Sequence, residues 1–377
     1  MGQHHKLESK LERHERLGRF AFALAIAGAV AGAGACGSSD DPTAPSNAPA
    51  TTPAVSGDPG PGTGMASGTG TGASAGTPAP TAAPTAAPTA MAPVAPPTAS
   101  SCFASLKGKV PGPDYDKAKA TILPSCSGTH HQSIKNVERL VFLGDSVTTG
   151  TPPTLPGQIY RDRVTAAAKM RFGNSLAVSD CSAWGADTGD FLDGKNQLTT
   201  CFPGTTEPKR TLVVMTMGGN DIAYWARNKL STADAMVEAD ASADRLRAAI
   251  DWLQAPGRFP NGVFVTFANV YEYTDTSGDL ASCPASQLAG MSGTYPEGAP
   301  AIVHLQERYM QIAADTKTDM VFLLEHFCGH GYRRDDATLQ CYRGPGAELW
   351  FDLSCIHPTP KGHEQVANLF LNVVDGI

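Results

Sequence analysis

The chain has 377 residues, more than one average domain needs, and a formal net charge of −7. Its globular part carries no basic cluster, which argues against nucleic acid as a partner.

Met1–Arg19 is polar and holds Lys6, Lys10, Arg13, Arg16 and Arg19, whereas Phe20–Ala35 is apolar or glycine throughout and Cys36 ends it. A basic start, an apolar stretch and a small-residue exit predict an export signal over 1–36. The stretch is too short and too rich in Gly and Ala for a membrane-spanning helix. Its exit, Ala33-Gly34-Ala35-Cys36, resembles the bacterial lipoprotein lipobox, with Ala33 where that motif usually has Leu. The resemblance implies a lipidated Cys36, membrane attachment and a place in the cell envelope. The competing reading is a secreted protein with an ordinary cleaved signal and a free cysteine just beyond it.

Residues 37–100 are Pro, Thr, Ala, Gly and Ser with almost no large apolar side chain, as in Pro84-Thr85-Ala86-Ala87-Pro88-Thr89. Such a segment buries too little apolar surface to offset its ordering entropy, so a disordered tether is expected.

Cys36 apart, eight cysteines remain: Cys102, Cys126, Cys181, Cys201, Cys283, Cys328, Cys341 and Cys355. An even number behind an export signal predicts four disulfides formed in an oxidising compartment. The connectivity stays open. Pairing near neighbours would give Cys102–Cys126, Cys181–Cys201 and Cys341–Cys355, leaving Cys283–Cys328. Zinc is the rival use, prompted by His326-Phe327-Cys328-Gly329-His330, but no Cys-x-x-Cys accompanies it. No metal or other cofactor is expected.

From Ser101 to Ile377 short apolar runs alternate with helical patterns. Strands are predicted at Arg139–Leu143, Ser175–Val178, Thr211–Met217, Gly262–Asn269 and Met320–Glu325. Their nearly continuous apolar character suits strands buried on both faces. Helices are predicted at Gln158–Phe172, Ala233–Gln254, Ala301–Thr316 and Pro360–Val373, the last with proline in its first turn. This alternation predicts one α/β domain over 101–377 with a parallel sheet covered on both faces.

Three motifs carry chemistry. Gly144-Asp145-Ser146 follows the first strand, Gly218-Gly219-Asn220-Asp221 follows the third, and His357-Pro358 precedes the last helix. Gly-Asp-Ser alone is a common turn. Together the three supply a nucleophile, oxyanion donors and a base, the inventory of acyl transfer. His363 is expected to pack or cap the last helix, and His130 and His131 to be solvated loop residues.

With these motifs in this order, the globular part resembles the GDSL esterases and lipases, also called SGNH hydrolases. The resemblance implies a flavodoxin-like three-layer α/β/α sandwich with a mostly parallel, five-stranded sheet. It implies Ser146 as nucleophile, in a block where Val147 replaces the usual Leu. It implies Asn220 as oxyanion donor, with the backbone N–H groups of Ser146 and of Gly185 in Ser182-Ala183-Trp184-Gly185-Ala186. The rival reading of Gly185 is a plain loop glycine. His357 becomes the base. The family places its acid three residues before that histidine, where this chain has Ser354; the nearest acid is Asp352. Either an enlarged loop lets Asp352 reach the imidazole, or a Ser–His dyad uses a backbone carbonyl to orient the ring. The implied partner is an acyl ester (a lipid, a small ester or an acylated glycan), acted on by a monomer. Acyl transfer to another alcohol by the same residues, and a non-catalytic binding lipoprotein, are the alternatives.

Overall fold

The computed structural model describes residues 96–108 and 111–376; the expected export signal, Cys36 and nearly all of the expected tether lie outside them. Helix α1 (Ala99–Cys102) starts from Thr98, whose Oγ1 accepts from Ser101 N while Ser101 Oγ accepts from Thr98 N. Ala99 is already buried, so packed structure begins slightly ahead of Ser101.

Five strands follow in chain order: β1 (Arg139–Gly144), β2 (Ala177–Asp180), β3 (Thr211–Thr216), β4 (Val263–Ala268) and β5 (Asp319–Val321). They form one sheet in the order β2-β1-β3-β4-β5, and every pairing is parallel. Leu140, Val141, Phe142 and Leu143 are fully buried, as the centre of a doubly covered sheet requires. Edge strand β2 departs from that rule: Val178 is 39% exposed. It also starts two residues later than the apolar pattern predicts, because its register sets Ala177 against Arg139.

Helices α2 (Ser146–Thr149), α3 (Tyr160–Phe172), α4 (Gln197–Cys201), α5 (Gly219–Asn228), α6 (Thr232–Leu253), α7 (Ala299–Thr316), α8 (Leu323–Phe327) and α9 (Pro360–Asp375) complete the fold. Helices α3 and α9 pack together, as do α6 and α7, and the two pairs are the outer layers of an α/β/α sandwich. In α6 the buried stripe Ala235, Ala239, Ala243, Leu246, Ile250 and Leu253 recurs at helical spacing. Its small alanines let α7 approach closely. Ser231 caps the start of α6 by accepting from Asp234 N.

The run Met320–Glu325, predicted as strand throughout, is split: β5 ends at Val321 and Leu323–Phe327 turns into α8. A buried strand and a buried helical turn are equally apolar, so the pattern cannot separate them.

All eight cysteines downstream of Cys36 are paired. Cys102–Cys126 and Cys181–Cys201 agree with near-neighbour pairing; Cys283–Cys355 and Cys328–Cys341 do not. The reason is topological. Residues 270–298 form an excursion from the end of β4 that meets the loop before α9, bringing Cys283 to Cys355 across 72 positions.

Three glutamines satisfy main-chain groups in or just beyond the strands. Gln197 bonds both the N–H and the C=O of Gly144, Gln132 those of Val265, and Gln306 those of Val270. Each side-chain amide takes the place of a missing strand neighbour.

Candidate active site

The site lies where the strand order reverses, at the carboxyl ends of β1 and β3, the position at which doubly wound sheets bind ligands. Gly144 closes β1 at φ 142°, and a Cβ there would lie 2.4 Å from Thr216 O. Only glycine lets the two strand ends approach this closely. Asp145 then caps α2, accepting from Val147 N at 3.0 Å and Thr216 Oγ1 at 3.2 Å. Burial raises its carboxyl to about 7. These bonds fix Ser146 as the first residue of α2, with a backbone N–H that has no acceptor among the described residues. Behind it, Thr148 Oγ1 bonds Tyr160 Oη and Thr216 Oγ1, each at 2.6 Å.

After β3, the Gly218–Asp221 turn opens α5. The Asp221 carboxylate accepts from Thr188 N, Thr188 Oγ1 and Ser242 Oγ, tying the loop after β2 to this helix. Asn220 Nδ2 donates to Ala186 O at 2.8 Å, so the side chain expected to face an oxyanion is held beside that loop. Gly185 precedes this anchor with φ 67°, open space where a side chain would stand, and an N–H without an acceptor among the described residues.

His357 is 2% exposed, and its Nε2 lies 2.8 Å from Ser146 Oγ. Burial lowers its pKa to about 4, so the ring is neutral around pH 7. Its Nδ1 meets neither Asp352 nor a backbone carbonyl: Ser354 Oγ stands there at 2.6 Å. The expected direct contact with Asp352 is therefore absent. Asp352 Oδ1 instead accepts from Ser354 Oγ at 2.5 Å and from Ser354 N at 2.8 Å. Burial raises the Asp352 carboxyl to about 6, and its Oδ2 has no hydrogen-bond partner among the described residues.

This loop is held from several directions. Cys355, at φ 75°, is bound to Cys283. Tyr332 Oη donates to Asp352 O, and Tyr271 Oη to Ile356 O. Asp352 N donates to His357 O.

The pair Ser146–His357 opens onto a cavity of about 440 Å³ walled mainly by apolar side chains, among them Phe103, Met217, Ile222, Val270, Met291 and Ile302. Sequence reasoning missed the contribution of Phe103, which comes from the segment just after the expected tether. It gave Ser354 no role, although its position three residues before His357 was the available signal.

The other singled-out residues lie elsewhere. His363 is buried; its Nδ1 accepts from Tyr160 N and its ring stacks on Tyr160. His131, expected to be solvated, is corrected: its ring bridges Thr318 O and Thr121 N, tying the segment before β1 to that before β5. Cys328 is consumed by its disulfide, His326 Nε2 bonds Cys126 O, and His330 stacks on Trp350.

An all-parallel α/β/α sandwich with a serine–histidine pair at its carboxyl edge is the architecture of a serine hydrolase. The chain belongs to the GDSL-like Lipase/Acylhydrolase family, whose model matches residues 142–365, and it is an enzyme acting on ester bonds. Among solved structures it is similar to a lipolytic protein of the G-D-S-L family from Veillonella parvula, with 13% identity and a TM-score of 0.40 over 62% of this chain and 97% of that one. It is also similar to an acetyl xylan esterase from Geobacillus stearothermophilus (18% identity, TM-score 0.41, 64% and 97% covered). A phospholipase A1 from Streptomyces albidoflavus is a third such structure (17%, TM-score 0.41, 63% and 99%). No curated protein matches the chain.

Proposed function

We propose that the chain is an exported esterase that hydrolyses apolar acyl esters through an acyl-enzyme on Ser146. The observation that carries this reading is the 2.8 Å contact between Ser146 Oγ and His357 Nε2 at the wall of an apolar cavity. A serine hydroxyl is a poor nucleophile at neutral pH, and a neutral imidazole in contact with it is the base it lacks. Ser146 Oγ attacks the ester carbonyl as His357 Nε2 takes its proton. The tetrahedral oxyanion is met by Asn220 Nδ2 and by the N–H groups of Ser146 and Gly185. His357 returns the proton to the leaving alcohol, and water then releases the acid by the same route.

The cavity falls within the range of ligand pockets, roughly 300–1,000 Å³, and its lining favours a hydrocarbon chain over an acetyl group. Each buried methylene contributes about 0.8 kcal/mol, a factor of about four in kcat/KM. The test is a series of p-nitrophenyl esters from acetate to decanoate. A steep rise with chain length is expected; a maximum at acetate would remove the apolar-ester reading while leaving the esterase in place. The four disulfides fit an oxidising compartment, and anchoring through Cys36 belongs to the same proposal.

A further inference from the structure

The catalytic loop places a hydroxyl where a direct carboxylate is expected. From Ser146 inward the contacts run Oγ to His357 Nε2 at 2.8 Å, His357 Nδ1 to Ser354 Oγ at 2.6 Å, and Ser354 Oγ to Asp352 Oδ1 at 2.5 Å. We propose that Ser354 is a positioning residue that relays the Asp352 carboxylate to His357 and thereby sets the imidazole tautomer, an inference that rests on Ser146 and His357 being nucleophile and base.

Counting donors fixes the direction of each bond. An ionised carboxylate only accepts, so Ser354 Oγ donates its single hydrogen to Asp352. With that hydrogen spent, Ser354 Oγ can only accept from the imidazole. Nδ1 therefore carries the ring proton, and Nε2 presents a lone pair to the Ser146 hydroxyl. Reversing the first bond reverses the whole chain: a hydroxyl donating to Nδ1 would leave the hydrogen on Nε2, and the ring could not take a proton from Ser146.

The loop is shaped for this. Ser354 N also donates to Asp352 Oδ1, so one carboxylate oxygen gathers both groups of Ser354. Asp352 N donates to His357 O, and Cys355, at φ 75° in its disulfide, makes the turn between Ser354 and His357. The carboxylate acts at one remove, through a polarised hydroxyl. When His357 becomes an imidazolium, its charge is stabilised by Ser354 as acceptor and by Asp352 behind it.

The test is steady-state kinetics of the full chain with p-nitrophenyl octanoate. The set is Ser354→Ala, Ser354→Thr, Asp352→Asn and the Asp352→Asn/Ser354→Ala double variant, with Ser146→Ala as control and thermal melting to confirm folding. Ser354→Ala and Asp352→Asn should each lower kcat on the order of 10²–10⁴-fold with KM nearly unchanged, by comparison with triads that lose their acid. Ser354→Thr, which keeps the hydroxyl, should recover most of the rate. The double variant should be little worse than either single one, because both break the same chain. A Ser354→Ala variant within fivefold of wild-type kcat, a change in KM alone, or fully additive losses would each overturn the relay. Should Ser354→Ala not fold, Asp352→Asn and Ser354→Thr decide the question alone. An active Ser146→Ala protein would instead sink the serine-hydrolase reading, a result distinct from failure of the relay.

Discussion

Ser146 and Asn220 stand at the ends of β1 and β3, each on the first turn of a helix, whereas His357 stands on a loop between α8 and α9 that contains no described helix or strand. The first two inherit their positions from a parallel hydrogen-bond ladder in register from Arg139–Thr211 to Gly144–Thr216. The third is placed by long-range ties: the Cys283–Cys355 disulfide and the hydroxyls of Tyr332 and Tyr271 on main-chain carbonyls. One half of the site is thus held by the sheet. The other half is held by a short local turn, with Asp352 N on His357 O, and by its cross-links, and it is there that the Asp352–Ser354–His357 contacts replace the expected direct one.

This contrast can be broken from either side. On the sheet side, Ser146→Ala should abolish turnover, a loss on the order of 10⁶ when a triad nucleophile is removed. The melting temperature should stay near wild type, because the hydroxyl packs little. Labelling by a sulfonyl fluoride, found in wild type and absent from the variant, checks the assignment.

Asn220→Ala should lower kcat by about 10²–10³ with little change in KM, since its hydrogen bond belongs to the transition state. A pure KM effect would make Asn220 a substrate contact.

On the loop side, kcat/KM should be flat near neutrality and fall about tenfold per pH unit once Asp352 is protonated, since a neutral carboxyl no longer imposes the tautomer. With Asp352 raised to about 6 and His357 lowered to about 4, both by burial, the fall should begin near 6. The polar groups facing this carboxyl are Ser354, the Tyr332 hydroxyl on its own C=O and, beyond Ser354, His357. A limb near 4 would mean that only the imidazole titrates.

The two disulfides differ in what they hold. Replacing Cys283 and Cys355 by Ala opens a 72-residue closure, worth roughly 4 kcal/mol by chain entropy, against roughly 3 for the 13-residue Cys328–Cys341 closure. Activity should fall about tenfold beyond what lost stability explains, because removing the first bond loosens His357. Removing Cys181–Cys201, on the sheet side, should leave kcat unchanged. Equal losses in both variants would show that the loop is no more dependent on its cross-link than the strand ends are.

Where local pattern and final position coincide, the sequence was legible. The runs at Arg139, Thr211 and Gly262 are strands because buried parallel strands need continuous apolar text. Helices α6 and α7 follow from their helical spacing. The placement of Ser146, Asn220 and His357 at one edge of the sheet was legible because each motif sits at an element end that its own residues create. Helix α5 was not marked as a helix, and α8 was merged with β5, since short buried elements share one apolar signature. Ser354 was noticed only as the residue standing where an acid was expected. Its role depends on a turn whose shape is set by Cys355 and by a disulfide partner from another excursion of the chain.

The α/β layering, the even cysteine count and the three motifs proposed for catalysis could be read from the chain alone, because period, composition and short motifs are local properties that survive folding unchanged. Tertiary structure alone decided which cysteines meet, that residues near Phe103 wall the cavity, and that the Ser354 hydroxyl stands between Asp352 and His357. These are distances between segments far apart in the chain. They follow from how a few long-range ties close the loops over the sheet, which no local pattern encodes.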